Sequence, residues 1–322
     1  FAKAWERHLW NTDTRFSVLP ASRPLRQLEP FPRTGRGRSF ENRRIPDLMD
    51  GKGLRMVLQT SRRGSFVRRT MGRETVHDLR KRVYRRTIRF VLGCKVGQKT
   101  LAKKLLRINL SDIAAMGAVP YGFFLNLAVP RNNVDEWIKR FSLGLSEDIK
   151  QFDIKLFGGD LSHSSTIFLS MTILGKINKI CHDNNYSKVG SDIYVSGNIG
   201  DAPLGFEFSK NFNCFDGPKN KKLKLINKFY IPEPRINLGL SLLNKVDFCT
   251  DISDGLVREI SRVASQSKLQ ANIFLENIPF SSEVKSIINM NDKKKIHEII
   301  LNGGEDYELL FSSGSNNRKK ID

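Results

Sequence analysis

The sequence predicts a mixed α/β protein of two domains, and three observations carry that prediction. A chain of 322 residues with 39% hydrophobic and 9% aromatic residues can fill two cores. From residue 97 onward, short apolar runs alternate with segments of helical periodicity, the pattern of helices packed on sheets. Glycine and aspartate punctuate the junctions between them.

The charge divides the chain. Residues 1–90 hold 20 Arg and 3 Lys against 8 acidic residues, a surplus of +15, whereas the other 232 residues contribute +6 and use 24 Lys with 7 Arg. No single electrostatic requirement explains the switch from Arg to Lys. Periodicity before residue 90 is poor and turn formers interrupt it, as in "LPASRPLRQLEPFPRTGRGRSF". Residues 1–96 are therefore expected to be disordered or mistranslated, and an opening Phe1 in place of Met fits a fragment. A nucleic-acid arm or an organelle transit peptide are the weaker readings of this stretch.

Other classes are excluded more simply. Cys94, Cys181, Cys214 and Cys249 form no C-x-x-C pair, so no zinc or redox centre is expected and a reduced cytoplasmic protein is the simplest reading. No apolar run approaches the roughly 18 residues of a membrane span. Nucleic acid and membrane are not the expected partners.

The elements after Gly97 can be taken in order. Residues 99–117 place Leu101, Leu105, Ile108 and Ala115 near helical spacing and stop at Gly117. A strand is expected over 121–129 and an amphipathic helix over 133–152, with Val134, Trp137, Ile138, Phe141 and Leu145 on one face. Strands are expected at 155–157, 166–177, 192–196, 247–252 and 271–275. Helices are expected at 204–209, 223–229 and 235–244, from Leu256 to about Gln266, and around Ser281 and Lys293.

Three segments share one design, an apolar element that delivers Asp to a boundary beside Gly: "NLSD" with Asp112, "LFGGD" with Asp160, and "DISDG" with Asp251 and Asp254. Carboxylates beside glycines suit magnesium and closely approaching phosphates, and several together repel one another unless cations bridge them. Each has a plainer reading: Asp112 as a solvated helix residue, Gly158 and Gly159 as a tight turn, and Asp254 as an N-cap for the helix from Leu256. No G-x-x-x-x-G-K-[ST] loop, no G-x-G-x-x-G after a strand and no protein-kinase signature occurs. Nucleotide chemistry here has to run through metal-bridging carboxylates.

Read as a set, "INLSDIAAMGAVP", "LFGGDLSHS", "DIYVSGNIGDAPLGF", "TDISDGL" and "NGGEDYELLF" resemble the thiamine-monophosphate kinases, over about residues 97–315. The resemblance implies a two-domain PurM-like α/β (α+β) fold, an amino-terminal sheet domain over 97–187 that forms a homodimer and a carboxy-terminal α/β domain over 188–322. It also implies transfer of the γ-phosphoryl group of ATP to thiamine monophosphate, with Mg2+ as cofactor. By the same resemblance Asp112, Asp160, Asp251 and Asp254 are metal ligands, Gly159, Asp160 and Ser253 contact ATP, and Glu305 meets the thiamine substrate. No side chain acts as nucleophile or strong base, because the acceptor phosphate is already ionised.

The departures are equally specific. The family's upstream Asp-Asp and Thr-Thr-Asp ligands and its His-Phe pair find no match before residue 97, and Arg89-Phe90 stands about where the His-Phe pair is expected. Its nucleotide-contacting Arg corresponds to Asn184, and its late aromatic substrate residue has no counterpart after Phe311. The polypeptide as written is therefore expected to have little kinase activity. A selenophosphate-synthetase-like or non-catalytic member of the superfamily, and a basic nucleic-acid-binding protein through residues 1–90, are the alternatives.

Overall fold

The computed structural model describes residues 56–59, 83–90, 96–177, 182 and 186–321. Two sheets organise them. The first runs β1-β2-β5-β3-β4, with β1 Met56–Gln59, β2 Val83–Phe90, β3 Val119–Val129, β4 Lys155–His163 and β5 Phe168–Lys176. Only β3 and β4 are parallel. A parallel pair needs a crossover, which α2 (Val134–Gln151) supplies after α1 (Gln98–Ala115). Strands β1 and β2 lie inside the stretch from which no regular structure is expected. Pairing of β2 with β5 organises what local periodicity does not signal. The placement of Asn184 falls outside the described residues.

The second sheet is β6-β8-β7, wholly antiparallel: β6 Ser191–Val195, β7 Phe248–Asp251 and β8 Leu309–Gly314. Its central strand is the last in sequence, so "GGEDYELLF" delivers the strand that both neighbours require. Around it lie α3 Asp201–Lys210, α4 Lys219–Tyr230, α5 Ile236–Ser241, α6 Leu256–Ser267, α7 Ser282–Met290, α8 Lys293–Asn302 and a terminal turn α9 Arg318–Ile321. No strand forms over 271–275. The segment runs irregularly into a 3-10 turn at Leu275–Asn277, and Ala271 and Ile273 pack against the core of β7 and α6 without a ladder.

Helix α1 is buried on nearly every side, as its burial between two layers requires. One side packs Leu105, Leu106 and Ile108 against Phe123, Leu169 and Ile173 of the first sheet. Toward its end, Ala114 and Ala115 meet Leu242, Cys249, Leu309 and Phe311 of the second half. A Cβ at Gly239 of α5 would lie 2.0 Å from the Ala114 carbonyl, so glycine permits that contact. Gly117, at φ +63°, ends the helix as its position predicts.

Such a helix must satisfy its polar groups internally. Lys104, Arg107 and Ser111 recur at helical spacing, and each reaches another element. Arg107 donates Nε and Nη2 to both oxygens of the fully buried Asp148 on α2, at 2.6 and 3.0 Å, and Nη1 to the Pro232 carbonyl at 3.3 Å. Removing one member of a buried pair leaves the other charge uncompensated. Arg107→Ala should lower unfolding free energy by about 3 kcal/mol, read by urea denaturation, and an unchanged midpoint would refute the assignment.

Candidate functional site

The loops "DISDG" and "NGGEDYEL" come together through their backbones. Glu305 N donates to Ser253 O at 3.0 Å, Tyr307 N to Ile252 O at 3.0 Å, and Ile252 N to Glu308 O at 2.8 Å. Glycine makes this approach possible: a Cβ on Gly304 would stand 2.1 Å from Ser253 O, and one on Gly255, at φ +109°, 2.6 Å from Asn302 O. Glu305 and Tyr307 adopt left-handed backbone at φ 78° and 52°, a conformation that non-glycine residues hold only where the surroundings fix it.

From that ladder the motif sends successive side chains to different partners. Lys104 Nζ lies 2.9 Å from Glu305 Oε2. Asp306 accepts from Gly200 N and Ala202 N, at 2.9 and 3.0 Å, and so holds the start of α3. Tyr307, 1% exposed, enters the core under the first sheet. Glu308 accepts from Ser196 Oγ at 2.5 Å and takes a forked pair of 2.7 Å bonds from Arg235. The cleft between them, about 80 Å³, is bordered by Gly197, Asn198, Asp201 and Lys228. None of Lys104, Ser111, Arg235, Asp306 or Glu308 emerges from the sequence as a site residue, although two of them stand in the motif that contains Glu305.

Asp251, at the end of β7 and buried, accepts a 3.0 Å bond from Ser111 Oγ on α1. Sequence neighbours Ser111 and Asp112 thus bring α1 beside β7, and Asp112 is half-buried there. Asp254 is also half-buried, and its carboxylate is 3.8 Å from Arg258. It does not cap α6, because the helix starts after Gly255 with no side-chain cap bond. Glu259, one turn into α6, has its carboxyl pushed up by burial, opposed by Arg262 and reinforced by the charges of Asp251 and Asp254. The carboxyl groups of Asp251, Asp254 and Glu259 therefore influence one another near the end of β7.

Asp160 stands apart. It is exposed on edge strand β4, in register with Asn126, which lies on the same face of β3 as Phe124 and opposite the face that packs α1. Gly158 and Gly159 are not a turn. They lie within β4 beside a shift of register, and a Cβ at Gly159 would fall 1.7 Å from Leu125 O. Among the described residues no three His, Cys, Asp or Glu are grouped closely enough to hold a metal alone. Magnesium characteristically takes one or two carboxylates and completes its shell with phosphate oxygens and water. Asp251 offers such an oxygen donor beside the turn of α1 that carries Asp112.

Residues 84–177 match the family model described as "AIR synthase related protein, N-terminal domain". A thiamine-monophosphate kinase of Leptospira interrogans is 33% identical over 220 residues, 67% of this chain and 68% of that protein. The crystal structure of thiamine-monophosphate kinase from Stenotrophomonas maltophilia K279a superposes with a TM-score of 0.68 at 26% identity, covering 76% of this chain and 78% of that one. A further structure, AaThiL complexed with AMPPCP and TMP, has the same fold at a TM-score of 0.64 and 24% identity, over 76% and 82% of the two chains. No helix among the described residues is long and apolar enough to cross a membrane.

Asp306, half-buried beside the cleft, supplies a pH test. Burial raises its carboxyl from 3.8 to about 8, against the pull of the Gly200 and Ala202 amides. Between these values the folded chain holds a proton that the unfolded chain releases, so this contribution is full below about 4 and is lost as pH rises through about 8. Stability measured by urea unfolding should fall from pH 5 toward pH 8, and Asp306→Asn should flatten that slope. An identical slope in the variant would contradict the burial argument. Sequence identity over two thirds of both chains, together with the shared fold, establishes that this chain belongs to the thiamine-monophosphate kinase family.

Proposed function

We propose that the site transfers the γ-phosphoryl group of ATP to the phosphate of thiamine monophosphate, giving thiamine diphosphate. The observation that carries the reading is the convergence of Asp251 with the Ser111–Asp112 turn of α1, next to the backbone ladder that places Ser253 beside Glu305. Acidic ion ligands, a nucleotide contact and a substrate contact then lie on adjoining loops. AMPPCP is a non-hydrolysable ATP analogue, and its presence with TMP in a protein of this fold supports the same pair of ligands here.

In this reading Asp112, Asp251 and Asp254 would hold magnesium together with phosphate oxygens and water, and its charge would offset that of the nucleotide and acceptor phosphates. Ser111 orients Asp251 through its hydroxyl bond. Ser253 and Gly159 approach the nucleotide, and Glu305 meets the cationic thiamine half of the acceptor. Asp160 belongs to the proposed nucleotide contacts, but its position on the open face of the sheet lends no support to a share in the ion site. Because the attacking oxygen is an ionised phosphate oxygen, the protein's work is positioning and charge compensation.

The two-domain division near Lys188 and the homodimer are parts of the same proposal. Tyr121, Phe124 and Phe157 cluster on the exposed side of β3 and β4, with ring centroids 5.2 and 5.8 Å apart. An apolar face of this kind fits a second copy of the sheet.

The chain with residues 1–96 replaced by the corresponding segment of a relative should form thiamine diphosphate and ADP from thiamine monophosphate, ATP and magnesium. Asp251→Asn in that background should lower kcat by about a hundredfold or more, and a chelator should abolish turnover. A folded chimera that produces no thiamine diphosphate would overturn the proposal.

A further inference from the structure

Lys104 is the most deeply committed cation at the junction between the two halves of the molecule. It is 3% exposed, and its ammonium group lies 2.7 Å from the Phe229 carbonyl, 3.3 Å from the centroid of the Phe229 ring and 2.9 Å from Glu305 Oε2. Burying an ammonium ion costs several kcal/mol before compensation, and here a carbonyl, an aromatic face and a carboxylate share that task.

The partner it selects is informative. Glu305 is 7% exposed and sits on left-handed backbone, tied to Ser253 through its own N–H. Neither carboxylate oxygen has a hydrogen bond of good geometry among the described residues, so the 2.9 Å approach of Lys104 is an ion contact. Both oxygens are enclosed, and a purely structural glutamate in so buried a place would have hydrogen-bond partners, so the ion contact with Lys104 is what fixes this carboxylate. If Lys104 served only to staple α1 to α4, the Phe229 carbonyl would suffice.

We propose that Lys104 is a positioning residue for the thiamine substrate: it holds the Glu305 carboxylate in one orientation, where that group meets the thiamine half of thiamine monophosphate. The inference rests on the reading of Glu305 as the substrate contact. It adds a specific division of labour along α1. Lys104 serves the thiamine side through Glu305, and Ser111, two turns further on, serves the phosphate side through Asp251. Loss of Lys104 therefore weakens the thiamine substrate selectively and spares the nucleotide.

Calorimetric titration of the full chain with thiamine monophosphate, and separately with a non-hydrolysable ATP analogue plus magnesium, tests this without requiring turnover. Lys104→Met and Glu305→Gln should each weaken thiamine monophosphate by at least tenfold, and the double variant should be no weaker than the worse single. Affinity for the ATP analogue should stay within about twofold. Lys104→Arg, which keeps a cation, should recover part of the loss. Should Lys104→Met fail to fold, Glu305→Gln and Lys104→Arg carry the same comparison from the two ends of the pair.

Undiminished thiamine monophosphate affinity in folded Lys104→Met overturns the inference and leaves the kinase reading intact. Equal loss of both ligands assigns Lys104 a structural role and also overturns it. A wild-type chain that binds the ATP analogue but no thiamine monophosphate removes the substrate reading of Glu305, and the inference falls with it.

Discussion

Helix α1 imposes the constraint on which the rest depends, because it carries charged and hydroxyl groups into the interior, where buried polar groups need partners. Lys104, Arg107 and Ser111 stand on one side at three- and four-residue spacing, and their partners come from distant segments: the Phe229 and Pro232 carbonyls, Asp148, Glu305 and Asp251. Each unmade bond would cost roughly 1–3 kcal/mol or more. The two sheets can therefore meet across α1 in few ways, and the way they meet is what brings Asp251 to Ser111.

The second constraint is the alternation within "GGEDYEL". Two glycines let the loop touch the "DISDG" backbone, and the next four side chains then reach α1, the start of α3, the first core and Arg235 in turn. One heptapeptide thus ties four parts of the molecule before continuing as the central strand of its sheet. A substitution in it would disturb both packing and chemistry, so stability data alone cannot separate the roles of its members.

Much of this was legible because it is local. Helical spacing with Gly117 as a stop located α1, and hydrophobic periodicity located α2. Apolar runs ending at "DISDG" located β7. What escaped depends on partners far along the chain. Strand β2 has poor periodicity of its own and exists as a partner of β5, while residues 271–275 look like a strand and lack a ladder. Gly158 and Gly159 read as a turn but lie within an edge strand, where the near approach of Leu125 O requires glycine. The candidate site divides likewise: Asp251 and Glu305 are visible within motifs, whereas Ser111 and Lys104 acquire meaning only once folding supplies partners 140 residues away in one case and about 200 in the other.

The same geometry bears on why a kinase of this type can do without a phosphate-cradling glycine loop. Such a loop carries its anion site in one contiguous segment, built from backbone N–H groups. Here the charge-bearing groups come from α1, β7 and the segment before β8, and their relative placement depends on how the two sheets pack on α1. The site is then only as precise as the packing of that helix. A buried ionic stripe, costly compared with an apolar one, fixes the rotation of the helix about its own axis, which interchangeable leucines would leave free to slip. Rotation by a single residue, about 100°, would turn Ser111 from Asp251 and Lys104 from Glu305 together.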